Sequence, residues 1–181
     1  MKLFKELSKA FVMGAFLLAA CQDNEQTISL KTISDLEKKV FSDSAQRLDP
    51  IIGQSLITEY GKFSQLYPSD SLSPEYTFKA GELSLSLNKP LEAFGYFEQV
   101  ATRFPEYKRA SYAIFMKGFI YDGPLNDTAL ARKFYVDFLN KYPNHPLSKD
   151  AGFSLRNLGK TDEELVREFE QKLSEAGQVA N

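Results

Sequence analysis

The sequence predicts an all-α repeat protein, a solenoid of about three antiparallel helix pairs closed by a C-terminal capping helix. The first observation is a phrase stated most fully by Ala93 to Pro105, where Ala93, Phe97, Val100 and Phe104-Pro105 fall on one helical face that the proline ends. The second is its recurrence. Leu56, Tyr60, Phe63 and Tyr67-Pro68 stand at the same offsets, as do Ala131, Tyr135, Phe138 and Tyr142-Pro143. The three prolines are separated by about 37 and 38 residues, a period of the length that stacked helix pairs use. The third is composition: 43% hydrophobic residues, with 15 phenylalanines, 9 tyrosines and no tryptophan, suits helical hairpins packed through aromatic knobs.

The chain begins with an address. Lys2, Lys5 and Lys9 flank a single Glu6, and an apolar run from Ala10 to Ala20 follows, which is a basic region and a hydrophobic region of secretory length. Residues 1–20 are therefore expected to be a cleaved signal peptide. The run ends Leu18-Ala19-Ala20-Cys21, which resembles the lipobox of bacterial lipoproteins. That resemblance implies that Cys21, the only cysteine, is acylated, palmitate being the kind of chain added, and becomes the mature N-terminus. More than one acyl chain makes anchoring stable. Gln22 to Thr27 lacks apolar content, so residues 21–30 read as a flexible, acidic tether and residues 31–181 as the helical domain.

Within that domain, Ile33, Leu36, Val40 and Phe41 predict a first helix near Ser34 to Gln46, with Ser34 and Glu37 as its capping box. Asp49-Pro50 opens a second helix that runs to Tyr67, since aspartate accepts from orphan amides and proline fits the first helical position. Ser73-Pro74 repeats that signal for a third, to about Leu87. The turn Asn88-Lys89-Pro90 leads into a fourth helix, ending at Phe104. A fifth is expected from about Lys108 to Tyr121 and a sixth from Asp127 to Tyr142, with a turn over Asp122 to Asn126 between them. The seventh spans about Leu147 to Leu158, closed by Gly159 in the left-handed region. Thr161 and Glu164 form a capping box for the last helix, near 161–176, whose stripe of Leu165, Val166, Phe169 and Leu173 is expected to cover the flank of the final repeat.

These helices resemble the tetratricopeptide repeat family, whose unit of about 34 residues places a glycine on its first helix, then an alanine, an aromatic and a closing proline. Gly81, Ala93, Phe97 and Pro105 match that order, and Gly118, Ala131, Tyr135 and Pro143 match it after one inserted residue in the turn. The earliest copy departs, with Leu56 in the alanine's place, and Lys117 occupies a position that is usually apolar. The family implies a right-handed solenoid whose first helices line a concave groove. Its groove-facing offsets fall on Glu75, Phe78, Glu82 and Leu85 in one repeat and on Tyr112, Phe115 and Phe119 in the next. The combination of lipobox, acidic tether and long-period hairpins is similar to the BamD-type lipoproteins of outer-membrane protein assembly and to the repeat domain of the Tol-Pal-associated periplasmic coordinator. Both imply a scaffold, anchored to the outer membrane on its periplasmic face, that binds other envelope proteins or peptide segments.

Other function classes have less to stand on. With 22 basic against 24 acidic residues and no basic run, a nucleic-acid partner is not expected. His145 is the only histidine and sits in a Pro-flanked linker, read as solvated, so no metal or other cofactor is expected. There is no phosphate-binding glycine loop and no nucleophile elbow, and no catalytic residue is assigned. The alternative reading is an envelope lipoprotein that captures a peptide or glycan, which requires a closed pocket of convergent polar groups instead of an open groove.

Overall fold

The computed structural model describes residues 24–41 and 48–179. The expected signal peptide and Cys21 lie outside the described residues. The described part is helical throughout: α1 (24–41), α2 (Pro50–Leu66), α3 (Ser73–Ser86), α4 (Pro90–Arg103), α5 (Ala110–Asp122), α6 (Thr128–Lys141), α7 (Ser148–Asn157) and α8 (Asp162–Val179). It divides into two compact units between Tyr96 and Phe97.

In the first unit, α2 packs on α3. Asp49 caps α2 as expected, its carboxylate accepting from Ile51 N (2.8 Å) and Ile52 N (3.2 Å), which satisfies two orphan amides. The core gathers Ile33, Leu56, Ile57, Tyr60, Phe63, Tyr76, Ala80 and Leu83. Tyr60 stacks on Tyr76 with ring centroids 5.0 Å apart, and Phe63 meets the edge of Tyr76 at 5.1 Å. Each geometry suits the ring quadrupole.

The start of α1 corrects the expected tether. Residues 24–30 are helical, and Ser34 lies mid-helix instead of capping it. The cause is packing two turns further back than the apolar stripe was followed: Leu30 joins Ile33, Leu36 and Val40 against the core, and Gln26 donates to Asp70 Oδ2 at 2.6 Å. Glu37, freed from a cap, accepts from Tyr60 Oη (2.6 Å) and pairs with Lys79 Nζ (2.8 Å). Ser73 is a second correction. It is the first residue of α3, and its hydroxyl reaches back to the Tyr67 carbonyl at 2.5 Å, fastening the turn between the two helices.

In the second unit, α6 packs on both α5 and α7. Asp127 caps α6 by accepting from Ala129 N and Leu130 N, and Asn126 takes the left-handed conformation in the turn before it, at φ 49. Ala131, Tyr135, Phe138 and Ala151 form a buried cluster, with Ile114, Phe115, Leu155 and Leu158 packed against it. At Gly118 the ring of Tyr135 on α6 lies directly against the backbone of α5. A Cβ there would lie 2.7 Å from Tyr135 Cδ1 and 2.8 Å from Cε1, inside contact distance. The glycine on the first helix is thus a consequence of the aromatic on the second. Lys117 is accommodated by pairing: its ammonium bonds Glu98 and stands 4.7 Å from the centroid of Phe134, so its charge is met at a largely buried site.

The linkers repeat as well as the helices. Asp70 N donates to Tyr67 O, Tyr107 N to Phe104 O and His145 N to Tyr142 O. His145 is not the solvated loop residue expected. Its Nδ1 accepts from Leu147 N (3.2 Å), which leaves the proton on Nε2, 3.0 Å from Ser111 Oγ, and its ring meets Phe138 edge-on at 5.7 Å. Gly159, at φ +84, ends α7 as expected, and Thr161 and Glu164 cap α8 reciprocally, by Glu164 N to Thr161 Oγ1 (3.2 Å) and Thr161 N to Glu164 Oε2 (2.9 Å). The face of α8 departs from expectation. Val166, Phe169 and Leu173 are 57%, 63% and 58% exposed, so most of the stripe faces solvent. Leu165, one residue off that line, is the member turned inward, and the Lys160–Glu168 pair (2.7 Å) joins the helix to the loop before it.

Candidate partner-binding surface

The groove residues expected from the repeat lie on the first helix of each pair, and their spacing puts them on one face of α3 and one face of α5. On α3, Glu75, Glu82 and Leu85 are half-buried at the surface of the first unit. Phe78 is fully buried. It therefore offers a partner no surface, and its placement in the groove is corrected to a place in the core.

Beside that face, burial sets the electrostatics. The Tyr60 phenol is pushed far above its ordinary value by burial and by its hydrogen bond to the Glu37 carboxylate. Burial pushes Glu37 up, yet the Lys79 ammonium and the Tyr60 hydroxyl outweigh it and hold the carboxyl below the usual range. The Lys79 ammonium also stands 5.8 Å from the Tyr60 ring and 5.9 Å from that of Tyr76. This network fixes α1 to α2 and α3.

On α5, the three predicted residues grade outward along the helix face. Phe115 packs between the rings of Tyr135 (5.8 Å) and Phe138 (5.7 Å). Tyr112 is half-buried at its edge, 6.3 Å from Phe115 and 5.6 Å from the Arg109 guanidinium. Phe119 is 45% exposed, the most accessible aromatic of this group. The surface is accordingly a half-buried aromatic shelf with a cation at one end. Among the described residues no group of histidine, cysteine, aspartate or glutamate is arranged to hold a metal ion, and no helix is long and apolar enough to cross a membrane.

One position escaped sequence reasoning. Ser73, Ala110 and Ser148 open α3, α5 and α7, and the fifth residue after each is Phe78, Phe115 and Phe153. Ser148 even repeats the bond of Ser73, donating to the Tyr142 carbonyl at 2.5 Å. Helix α7 thus opens at the phase of α3 and α5, and it packs on α6. The signal was present in the repeat phase, but Arg156 stands at the glycine position of α7 and hid it. The three phenylalanines differ in fate: Phe78 is buried, Phe115 half-buried and Phe153 59% exposed.

Neither a curated protein nor a solved structure matches the chain. Residues 112–145, from within α5 to the turn after α6, match the tetratricopeptide repeat family, and the match contains Gly118, Ala131 and Tyr135, whose contacts hold this hairpin together, and Pro143 in the turn that follows α6. The α5–α6 hairpin has the sequence and the structure of a tetratricopeptide repeat, a unit that generally serves as a scaffold for protein–protein interaction.

Proposed function

We propose that the chain is a lipid-anchored scaffold of a Gram-negative cell envelope, held in the outer membrane by acylated Cys21 and binding protein segments through the first helices of its repeats. The repeat over residues 112–145 carries this reading, because it accounts for the buried aromatics as architecture and leaves the shelf of Tyr112, Phe115 and Phe119 for recognition. Glu75, Glu82 and Leu85 supply the corresponding face of α3. The partially exposed rings of α5 suit a segment with apolar anchors, and the carboxylates of α3 suit basic residues. Outer-membrane protein assembly is the process that the combination of lipobox and repeats resembles. Depressions on the described surface are open and lined mainly by helix-surface residues such as Thr32, Leu36, Pro50 and Ile51, which fits groove binding better than capture of a small ligand.

Two measurements test the reading. Cys21→Ser is expected to abolish labelling by a palmitate analogue and to release the protein from the membrane fraction; a labelled or membrane-bound variant overturns the anchor. Photocrosslinking in cells from Phe119 and Leu85 is expected to capture a protein partner, with no capture from Lys133 on α6. Capture from neither groove position overturns the groove.

A further inference from the structure

Helix α1 is described from residue 24, three residues after Cys21, so the covalent chain lets at most about 11 Å separate that cysteine from the helix. The surface beside this end of α1 is apolar and open. Ile28, one turn further on, is 57% exposed, and Leu66, the last residue of α2, is 53% exposed. Both line one depression of about 370 Å³ between α1 and α2, with Tyr67 at its edge. Gln26 ties this end of α1 to the unit by donating to Asp70 Oδ2 at 2.6 Å, in the turn that follows α2.

We propose that this end of the first unit rests on the bilayer surface and sets Ile28, Leu66 and Tyr67 among zwitterionic lipid headgroups. The inference rests on the acylated Cys21 proposed above and adds to it the orientation of the unit. Length of chain selects the occupant. Four residues of helix add about 6 Å, so Ile28 lies within about 17 Å of the anchored residue whatever path the intervening chain takes. Helices α1 and α2 run antiparallel, since Ile28 shares its depression with Leu66 whereas Leu36 shares another with Pro50 and Ile51. Ile51 is 79% exposed and stands about 22 Å from Leu66 along α2. Of two exposed apolar positions on one helix, therefore, Leu66 is at the anchored end and Ile51 is a helix length away. With the anchor in place a lipid surface is held at this end at high effective concentration, and the contact needs little affinity of its own. Charge selects the lipid. The depression carries Glu25, Glu59 and Lys62, which is no cluster of cations of the kind an anionic leaflet attracts. Apolar side chains at headgroup depth, with a tyrosine whose amphipathic ring suits a membrane interface, supply the contact instead.

The chain has no tryptophan, so an indole placed at a chosen position is the only one in the protein. The full chain, purified from the membrane fraction, is reconstituted into phosphatidylcholine vesicles with and without acyl chains brominated near the headgroup, which quench tryptophan on contact. Flotation of the vesicles reads the anchor separately. Leu66→Trp and Ile28→Trp are expected to lose emission to brominated lipid, and Ile51→Trp to keep it. Both positions are exposed, and either variant suffices should the other misfold by far-UV circular dichroism. Ile28→Glu in the Leu66→Trp chain is expected to restore emission while the protein still floats with the vesicles. Protein that floats with Leu66→Trp and Ile28→Trp quenched no more than Ile51→Trp overturns the proposal and leaves the anchor standing; protein that does not float overturns the anchor and the proposal with it. Emission shifted to the blue without quenching assigns the surface to a second copy of the chain or another protein, and overturns the proposal as well.

Discussion

Gly118→Ala isolates the contact on which the repeat depends. The added methyl would sit 2.7 and 2.8 Å from Tyr135 Cδ1 and Cε1 and 3.2 Å from Cγ, so the ring must move by several tenths of an ångström. Tyr135 has little freedom to do so. It is fully buried, its ring lies 5.8 Å from that of Phe115, and its hydroxyl donates to Asp122 Oδ2 at 3.0 Å. Overpacking a site of this kind costs about 1 to 3 kcal/mol. Replacing glycine by alanine within a helix returns about 0.5 to 1 kcal/mol by restricting the unfolded chain. At the middle of each range the expected balance is a loss of about 1.2 kcal/mol, which for a urea slope of about 2 kcal/mol/M lowers the midpoint by roughly 0.6 M. Gly95→Ala is the control. No atom lies within 4 Å of a Cβ built there, so only the helix term acts and the midpoint is expected to rise. Urea titrations followed by far-UV circular dichroism measure both variants. A Gly118→Ala midpoint equal to or above wild type, or a fall of the same size in Gly95→Ala, would refute the reasoning that steric approach to Tyr135 sets the residue at 118.

The other predictions concern the contacts that define helix ends and linkers. Glu37→Gln is expected to cost about 1 kcal/mol at neutral pH by removing a charged hydrogen bond and an ion pair. Because the folded carboxyl titrates below its ordinary value of 4.5, its contribution is fully present above that pH and fades as pH falls through the folded value; thermal melts of wild type and variant should converge in acid and stay separated from pH 5 upward. Asp127→Ala removes the cap of α6 and is expected to lower stability by about 1 kcal/mol, whereas Asp127→Asn retains most of it, as paired denaturation curves will show. His145→Ala leaves Leu147 N and Ser111 Oγ without their ring partner and is expected to cost about 1 kcal/mol, with faster amide exchange at Leu147 as its local signature.

Much of the fold was legible because the repeat states each constraint more than once. The aromatic phrase, the prolines and the aspartate caps at Asp49 and Asp127 are local signals, and each maps to a single physical event: a buried face, a stop, a satisfied amide. What was not legible depends on neighbours distant in sequence. Residues 24–30 carry no helix-start signal, and they are helical because Leu30 and Gln26 find partners across the first unit. Lys117 looks misplaced until Glu98 and Phe134 are seen beside it. His145 reads as a loop residue until Leu147, Ser111 and Phe138 surround its ring. Ser73 has the composition of a cap, but the turn it belongs to uses its hydroxyl on Tyr67 instead.

The candidate site follows the same division. Offsets from the repeat glycine locate a helix face and carry no information about how deep that face lies. Phe78, Phe115 and Phe153 occupy one offset, yet they run from fully buried through half-buried to 59% exposed. A side chain at this offset is core where enough structure stacks over it and surface where it does not, so identical sequence chemistry serves packing in one copy and is left accessible in another. That gradient explains why the aromatic phrase of α2, α4 and α6 is a poor guide to partners: its three positions on each helix are buried in every copy, and only the closing aromatics Tyr67, Phe104 and Tyr142 are half-buried. On the proposed reading, recognition falls to positions without cover, of which Phe119 on α5, 45% exposed, is one. A substitution at Phe119 should disturb partner capture and leave stability unchanged, and one at Tyr135 should lower stability first, because the first ring is exposed and the second fully buried.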